Sequence, residues 1–169
     1  MKTIESVIGR DLQWVQPSFF KQTYELRNSR TVVAKLAFPR LLSQEARAES
    51  ADGCWVFRRK GVWKPTISIS TCENETHIIS FKSRLWGRTQ TFQLPDGEML
   101  VMIADFFGWK YRLQTESGEL IVEIKRNGFF KGTYSVNLRR RGSSYKELPW
   151  LVMLPWYLMI LLRRGQHHA

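Results

Sequence analysis

Apolar and polar residues alternate with a period of two through the middle of the chain. Trp109, Tyr111 and Leu113 alternate with Lys110, Arg112 and Gln114. Leu120, Val122 and Ile124 share one face, with Glu123 and Lys125 on the other. Tyr134, Val136 and Leu138 alternate with Thr133, Ser135 and Asn137, and Ile67 and Ile69 alternate with Thr66, Ser68 and Ser70. Successive strand side chains point to opposite faces, so each pattern predicts a strand with one buried face. Turn residues fall between the runs: Pro95-Asp96-Gly97, Ser117-Gly118, and Asn127-Gly128 between Ile124 and Phe129. The last predicts a two-residue hairpin turn. Short turns between consecutive strands make antiparallel neighbours, hence a meander. About eleven or twelve strands are expected between Gln22 and Leu138, with a short helical turn competing over 41–48.

The alternating region also repeats itself. Residues 19–26, 106–113 and 129–136 share the form F-F-x-x-x-Y-x-L, with Val136 closing the third copy, and a weaker copy runs from Leu85-Trp86 to Phe92. Aligning 93–103 with 114–124 places Gly97 over Gly118 and Glu98 over Glu119. The unit is a β-hairpin: aromatic entry, strand, glycine turn, strand. Hairpins that cannot bury a face alone must stack or close around something.

At the C-terminus the pattern changes. Residues 148–162 read LPWLVMLPWYLMILL and are followed by Arg163-Arg164. As a helix this run rises about 22 Å, short of the roughly 30 Å hydrocarbon core of a bilayer, and Pro155 interrupts it. A helix apolar on every side belongs in a membrane or at the centre of a protein. A barrel of around eleven strands has a lumen wide enough for one helix. The expected architecture is therefore mainly β: a single domain over 1–169, a closed antiparallel barrel of about twelve strands around a hydrophobic helix at about 146–164. Ser144-x-x-Glu147 has the form of a capping box, Pro149 suits a first helical turn, and Arg163, Arg164 and Gly165 suit its end.

A barrel of repeated hairpins closed around a C-terminal apolar helix resembles the tubby C-terminal-like superfamily, which includes the LURP-one-related proteins and the phospholipid scramblases. The resemblance spans roughly residues 19–164 and rests on the three F-F-x-x-x-Y-x-L units and the terminal apolar run. The two prolines and the basic end depart from a typical central helix of that group. The resemblance implies lipid or phosphoinositide headgroup binding by basic residues of the barrel wall, without matching particular residues of this chain.

Composition bears on partners more than on fold. The chain has 169 residues, a net charge of +11, and ten Phe and seven Trp. Such an excess of positive charge favours phospholipid headgroups, nucleic acid or acidic proteins. The basic clusters are Arg58-Arg59-Lys60, then Lys82, Arg84 and Arg88 around Trp86, and Arg139-Arg140-Arg141. Guanidinium forks suit phosphate, so all nine are candidate lipid- or anion-binding residues. Cys54 and Cys72 form no CxxC pair and are expected as two thiols in a reducing compartment. Asn74-Glu75-Thr76 has the form of a glycosylation sequon; residues 1–16 lack the apolar core of a secretory signal, so the match is expected to be chance. His77, His167 and His168 lack the companions of a metal site. No nucleotide, hydrolase or metalloprotease motif is present, so neither enzymatic activity nor a cofactor is expected. The leading expectation is a cytoplasmic, non-enzymatic barrel binding anionic phospholipid at the membrane face. A nucleic-acid-binding barrel and a tail-anchored protein with a cytosolic β-domain are the alternatives.

Overall fold

The computed structural model describes residues 1–83, 88–105, 107–128 and 132–166. Twelve strands form one antiparallel sheet: β1 (Leu12–Val15), β2 (Thr23–Asn28), β3 (Thr31–Ala37), β4 (Glu45–Ser50), β5 (Gly53–Lys60), β6 (Thr66–Thr71), β7 (His77–Lys82), β8 (Thr89–Gln93), β9 (Met99–Ala104), β10 (Lys110–Thr115), β11 (Leu120–Arg126) and β12 (Tyr134–Leu138). The α-helix α1 (Leu148–Gln166) follows. The strand order is β7-β6-β5-β4-β3-β2-β1-β12-β11-β10-β9-β8, so the meander runs outward in both directions from the β1–β12 pair. That pair joins the two ends of the strand sequence, with Leu12 opposite Val136 and Trp14 opposite Tyr134.

The barrel is nearly closed. β7 and β8 are the two edges of the sheet, and side chains rather than a backbone ladder join them. The Phe81 and Phe92 rings stack across the seam at 5.1 Å, and the buried Ser83 hydroxyl donates to Gln90 Oε1 at 3.2 Å.

α1 fills the lumen. Trp150 to Leu161 are buried almost without interruption, Pro155 included. The Trp156 indole stacks on Trp14 of β1 at 5.4 Å and meets the edges of Tyr24 and Tyr134 at 5.6 and 4.9 Å. Tyr157 packs against Phe38 and against Phe57 of β5, at 5.9 and 5.3 Å. The helix touches β4 and β5 on one side of the sheet order and β10 and β11 on the other. Surrounded in this way it needs no amphipathic stripe. Each large side chain so buried contributes roughly 1.5–3 kcal/mol. Pro155 removes the backbone donor that would meet the Leu151 carbonyl, a loss the packed walls tolerate. Among the described residues no helix is long and apolar enough to cross a membrane. The apolar run expected to serve either a barrel or a tail anchor is spent inside the barrel.

The hairpin repeat is real in its strand half. Tyr24 and Leu26, Tyr111 and Leu113, and Tyr134 and Val136 are all buried, each tyrosine near the start of its strand. The aligned turns match bond for bond. Gly97 N–H donates to Leu94 O and Leu94 N–H to Glu98 O; Gly118 N–H donates to Thr115 O and Thr115 N–H to Glu119 O. Both glycines hold a positive φ, 97° and 92°, that favours glycine. Phe106, Phe129 and Phe130 lie outside the described residues, as do Leu85 and Trp86 of the weaker copy, whose Phe92 is buried in β8.

Several local expectations are corrected. Residues 41–48 hold no helical turn: from Glu45 onward they form β4, where Ala46 and Ala48 point inward between Glu45, Arg47 and Glu49. Asn127-Gly128 does not make a two-residue hairpin. Arg126 pairs with Tyr134 and Asn127 N–H donates to Thr133 O, so the connection spans 127–133. β1 begins before the predicted strand region. Ser144 does not cap α1. It lies in the 3-10 turn Arg140–Ser144 and donates to Arg141 O, while the Glu147 carbonyl accepts the first helical N–H groups, from Trp150 and Leu151. Gly142 of that turn packs closely on the helix start: a Cβ there would lie 2.9 Å from Leu148 Cδ1, which would have to shift. Finally, Cys54 and Cys72 are not free thiols but a disulfide. Trp55 pairs with Thr71, so the next pair outward is Cys54 and Cys72, with Cα atoms 5.4 Å apart. Spacing along the chain concealed a register that brings them face to face.

Candidate functional site

An antiparallel meander places every second connection on the same end of the barrel. The connections 16–22, 38–44, 61–65, 83–88, 105–109 and 127–133 therefore share one rim. The C-terminal end of α1 emerges among them. Arg164 donates to Ser43 O and to Gln22 Oε1, both at 2.7 Å, and lies over the Phe38 ring at 4.0 Å. A Cβ on Gly108 would touch Leu162.

This rim is apolar at its tips. Phe19 and Phe20, Leu41 and Leu42, Val62 and Trp63, and Phe107 and Trp109 are all exposed, Phe20 fully and Trp63 to 95%. Among the described residues the only other exposed large hydrophobic residue is Met1. Exposed apolar residues scattered singly are normal, whereas confinement to one surface marks an interaction site. Pro17 and Pro39 follow the ends of β1 and β3, and Pro65 precedes β6, so each bounds one of these loops where proline cannot extend a ladder.

The rim is also cationic. Lys21, Arg40, Lys60, Lys64, Lys82 and Arg88 are exposed at loops or strand ends here, with Lys110, Arg126, Arg163 and Arg164 half-buried behind them. Among the described residues two acidic ones stand at these loops and strand ends: Glu45, paired with Arg58 at 2.9 Å, and Asp105, whose carboxylate accepts the Trp109 N–H at 2.7 Å. The opposite rim is mixed: it carries Asp52, Glu73, Glu75, Asp96, Glu98, Glu116 and Glu119 together with exposed cations such as Arg10, Arg30, Arg139, Arg140 and Lys146.

An open cavity of about 440 Å³ lies beside the end of α1, lined by Phe107, Trp109, Tyr111, Arg126, Tyr134 and Arg163 among others. Arg163 sits over the Tyr134 ring at 4.5 Å and near the Trp156 ring at 5.6 Å. Burial pulls the Arg163 pKa below its ordinary value; Tyr24 opposes that and the neighbouring Arg126 adds to it. Burial pushes the Tyr111 hydroxyl up to about 12, with Asp105 adding. The cavity thus combines two guanidinium groups with aromatic walls.

The structure divides the nine predicted site residues. Lys60, Lys82 and Arg88 reach the rim, and Arg59 lies just below it, donating to Gln44 Oε1 at 3.2 Å. Arg58 is held on the wall by Glu45 and Glu75, at 2.9 and 3.0 Å. The Glu45 hydrogen bond raises its pKa, with Glu75 adding, against a smaller effect of burial. Arg139, Arg140 and Arg141 belong to the opposite rim, where Arg141 pairs with Glu119 and Glu98. Arg84 falls outside the described residues, as do His167 and His168, while His77 is exposed on β7. No group of three His, Cys, Asp or Glu able to hold a metal occurs among the described residues. Sequence reasoning missed Lys21, Arg40, Lys64 and the loop tips themselves. The available signal was an apolar pair beside a cation in every second connection.

No family model, no curated protein and no solved structure matches the chain.

Proposed function

We propose that the protein is a non-enzymatic β-barrel module that binds anionic phospholipid headgroups through the rim where α1 ends. The observation that carries this reading is the scarcity of acid at that rim. Six exposed cations, Lys21, Arg40, Lys60, Lys64, Lys82 and Arg88, stand there with Asp105 as the acidic residue of its loops, whereas the cations of the opposite rim are interspersed with seven acidic loop residues. Each lysine or arginine near an anionic leaflet contributes about 1 kcal/mol. A ring of them suffices for reversible, salt-sensitive attachment. The resemblance to tubby-like and scramblase-like barrels supports the same ligand class but points to the wall rather than the rim. The cytoplasmic leaflet is the usual anionic surface, whereas the Cys54–Cys72 disulfide suits an oxidising compartment. The exposed cations of the rim favour an anionic lipid surface on either side, and cellular fractionation under thiol-trapping conditions assigns the side.

Co-sedimentation with vesicles tests the proposal. Binding is expected to rise with the anionic lipid fraction and fall with salt. Replacing Lys21, Arg40, Lys60 and Lys64 together by glutamine should abolish the anionic preference. Equal binding to neutral and anionic vesicles, or no binding, would overturn it.

A nucleic-acid reading has one observation in its favour: Phe19, Phe20 and Trp63 are exposed beside cations, as base-stacking platforms are. Leu41, Leu42 and Val62 occupy equivalent tips and offer no face for stacking, which favours lipid.

A further inference from the structure

We infer that the rim does not stop at the headgroups: its apolar loop tips insert into the bilayer, so that the protein docks in one orientation with the C-terminal end of α1 facing the lipid. The inference rests on the anionic-lipid reading of the same rim and extends it, because headgroup binding alone needs only charge. Four connections, separated from one another by paired strands, each end in a large apolar side chain. Phe20 is 100% exposed, Trp63 95%, Leu42 71% and Phe107 69%. Leaving such groups in water on one loop is unremarkable; leaving them on four loops of one rim is costly unless something covers them.

What covers them is a surface with apolar depth and negative charge at its boundary. Phe20 is followed by Lys21, and Trp63 by Lys64, while Arg40 lies two residues before Leu42. Each cation therefore stands one or two residues behind its tip. Interfacial membrane segments have this order, with apolar and aromatic groups buried about 5–10 Å and cations at the phosphate level. The mixture of aliphatic and aromatic tips suits fluid acyl chains, which demand no ring geometry. α1 cannot serve instead, because its apolar side chains are already packed inside the barrel. The loops are the exposed apolar elements that the described chain presents.

The test uses the full chain, vesicles of phosphatidylcholine with or without phosphatidylserine, and soluble glycerophosphoserine. One variant carries Phe20→Ser, Leu42→Ser and Trp63→Ser; all three side chains are exposed, and a thermal melt checks that the barrel is intact. Wild-type protein should bind anionic vesicles, show tryptophan quenching by lipids brominated on the acyl chain, and bind glycerophosphoserine far more weakly. The triple variant should lose about tenfold or more in vesicle affinity while keeping its salt dependence. A folded triple variant that binds anionic vesicles like wild type, or wild-type protein that escapes acyl-chain quenching, overturns insertion and leaves headgroup binding standing. Wild-type protein that binds no vesicle overturns both. Lipid-free dimerisation abolished by the triple variant, or oligonucleotide binding abolished by it, would assign the tips to a second copy or to nucleic acid instead.

Discussion

The two ends of the barrel are built from the same device, the link between antiparallel strands, and they differ in almost every other respect. At the end where α1 begins the links are tight and internally bonded. Gly97 and Gly118 close matching turns, and Asp96 Oδ1 accepts the Glu98 N–H at 2.9 Å. The chain's own N-terminal segment covers this end, with Ile4 and Val7 buried and the Ile4 N–H donated to Asp52 Oδ2 at 2.9 Å. Acidic and basic residues there meet each other, as Arg141 does with Glu98 and Glu119. At the end where α1 finishes the links are longer, and among the described residues four of them carry exposed apolar side chains, with Lys21, Arg40 and Lys64 exposed in the same loops. One end finishes the fold, and the other exposes apolar side chains beside positive charge. The difference makes separable predictions: changes at the closed end should alter stability and leave lipid binding alone, whereas changes at the open tips should do the reverse.

The largest effect should come from α1, which both ends share. A chain ending before Ser144 should show no cooperative unfolding transition, because the residues that fill the lumen are gone. A tail-anchored protein would instead leave a folded remainder, so calorimetry on residues 1–143 separates the two. Trp156→Ala is the graded form. It removes the ring that Trp14, Tyr24 and Tyr134 surround, and should lower stability by about 3–5 kcal/mol by chemical denaturation.

The disulfide comes next. Cys54 and Cys72 are 18 residues apart and tie β5 to β6 on the closed side of the barrel. A covalent closure of that size restricts the unfolded chain by about 3 kcal/mol on entropy grounds, within a usual range of 2–4. Cys54→Ser with Cys72→Ser should therefore lower the denaturation midpoint to that of the reduced wild-type protein, with vesicle binding unchanged. A midpoint indifferent to reductant would contradict it.

How far the amino-acid pattern revealed this division follows from what each region must satisfy. Alternation located β10 to β12 because one face of each is buried against α1 and the other is not. The glycines at 97 and 118 announced their turns because few other residues adopt that backbone. The apolar run at 148–162 declared a helix that needs walls on every side. The open rim was legible only as something else. Phe19-Phe20 reads as the hydrophobic start of a strand, since nothing local says that a phenylalanine will face water, and only the shared end of alternate connections shows that Phe20, Leu42 and Trp63 sit together. The cysteine pair was hidden for a related reason: its pairing lives in the register of β5 and β6. Ion pairs between residues distant in sequence, such as Arg141 and Glu98, leave no local signal either.

The smallest of the predicted effects belongs to the closed end and is read by pH. The Tyr145 hydroxyl donates to Glu98 Oε1 at 2.6 Å. Burial, and then this hydrogen bond and the Glu98 charge, push the tyrosine pKa up to about 12. A group whose pKa is raised by folding contributes stability in its protonated form. That contribution is complete below the ordinary tyrosine pKa of about 10 and is lost as pH climbs from there through the folded value. Tyr145→Phe keeps the ring beneath Arg141, whose guanidinium lies 5.5 Å from its centre, and removes only the hydroxyl. At neutral pH the variant should be less stable by about 1.5–2 kcal/mol, the lower part of the range for a hydrogen bond to a charged acceptor. Between pH about 10 and about 12 the gap to wild type should close, because wild type then surrenders what the variant already lacks. Denaturation midpoints across that range measure it, with tyrosinate absorbance reporting the ionisation. A gap that persists at high pH would place the contribution of Tyr145 in its packing and not in the bond to Glu98. Vesicle affinity of this variant at neutral pH should equal that of wild type, because the tyrosine lies at the opposite end of α1 from the apolar loop tips.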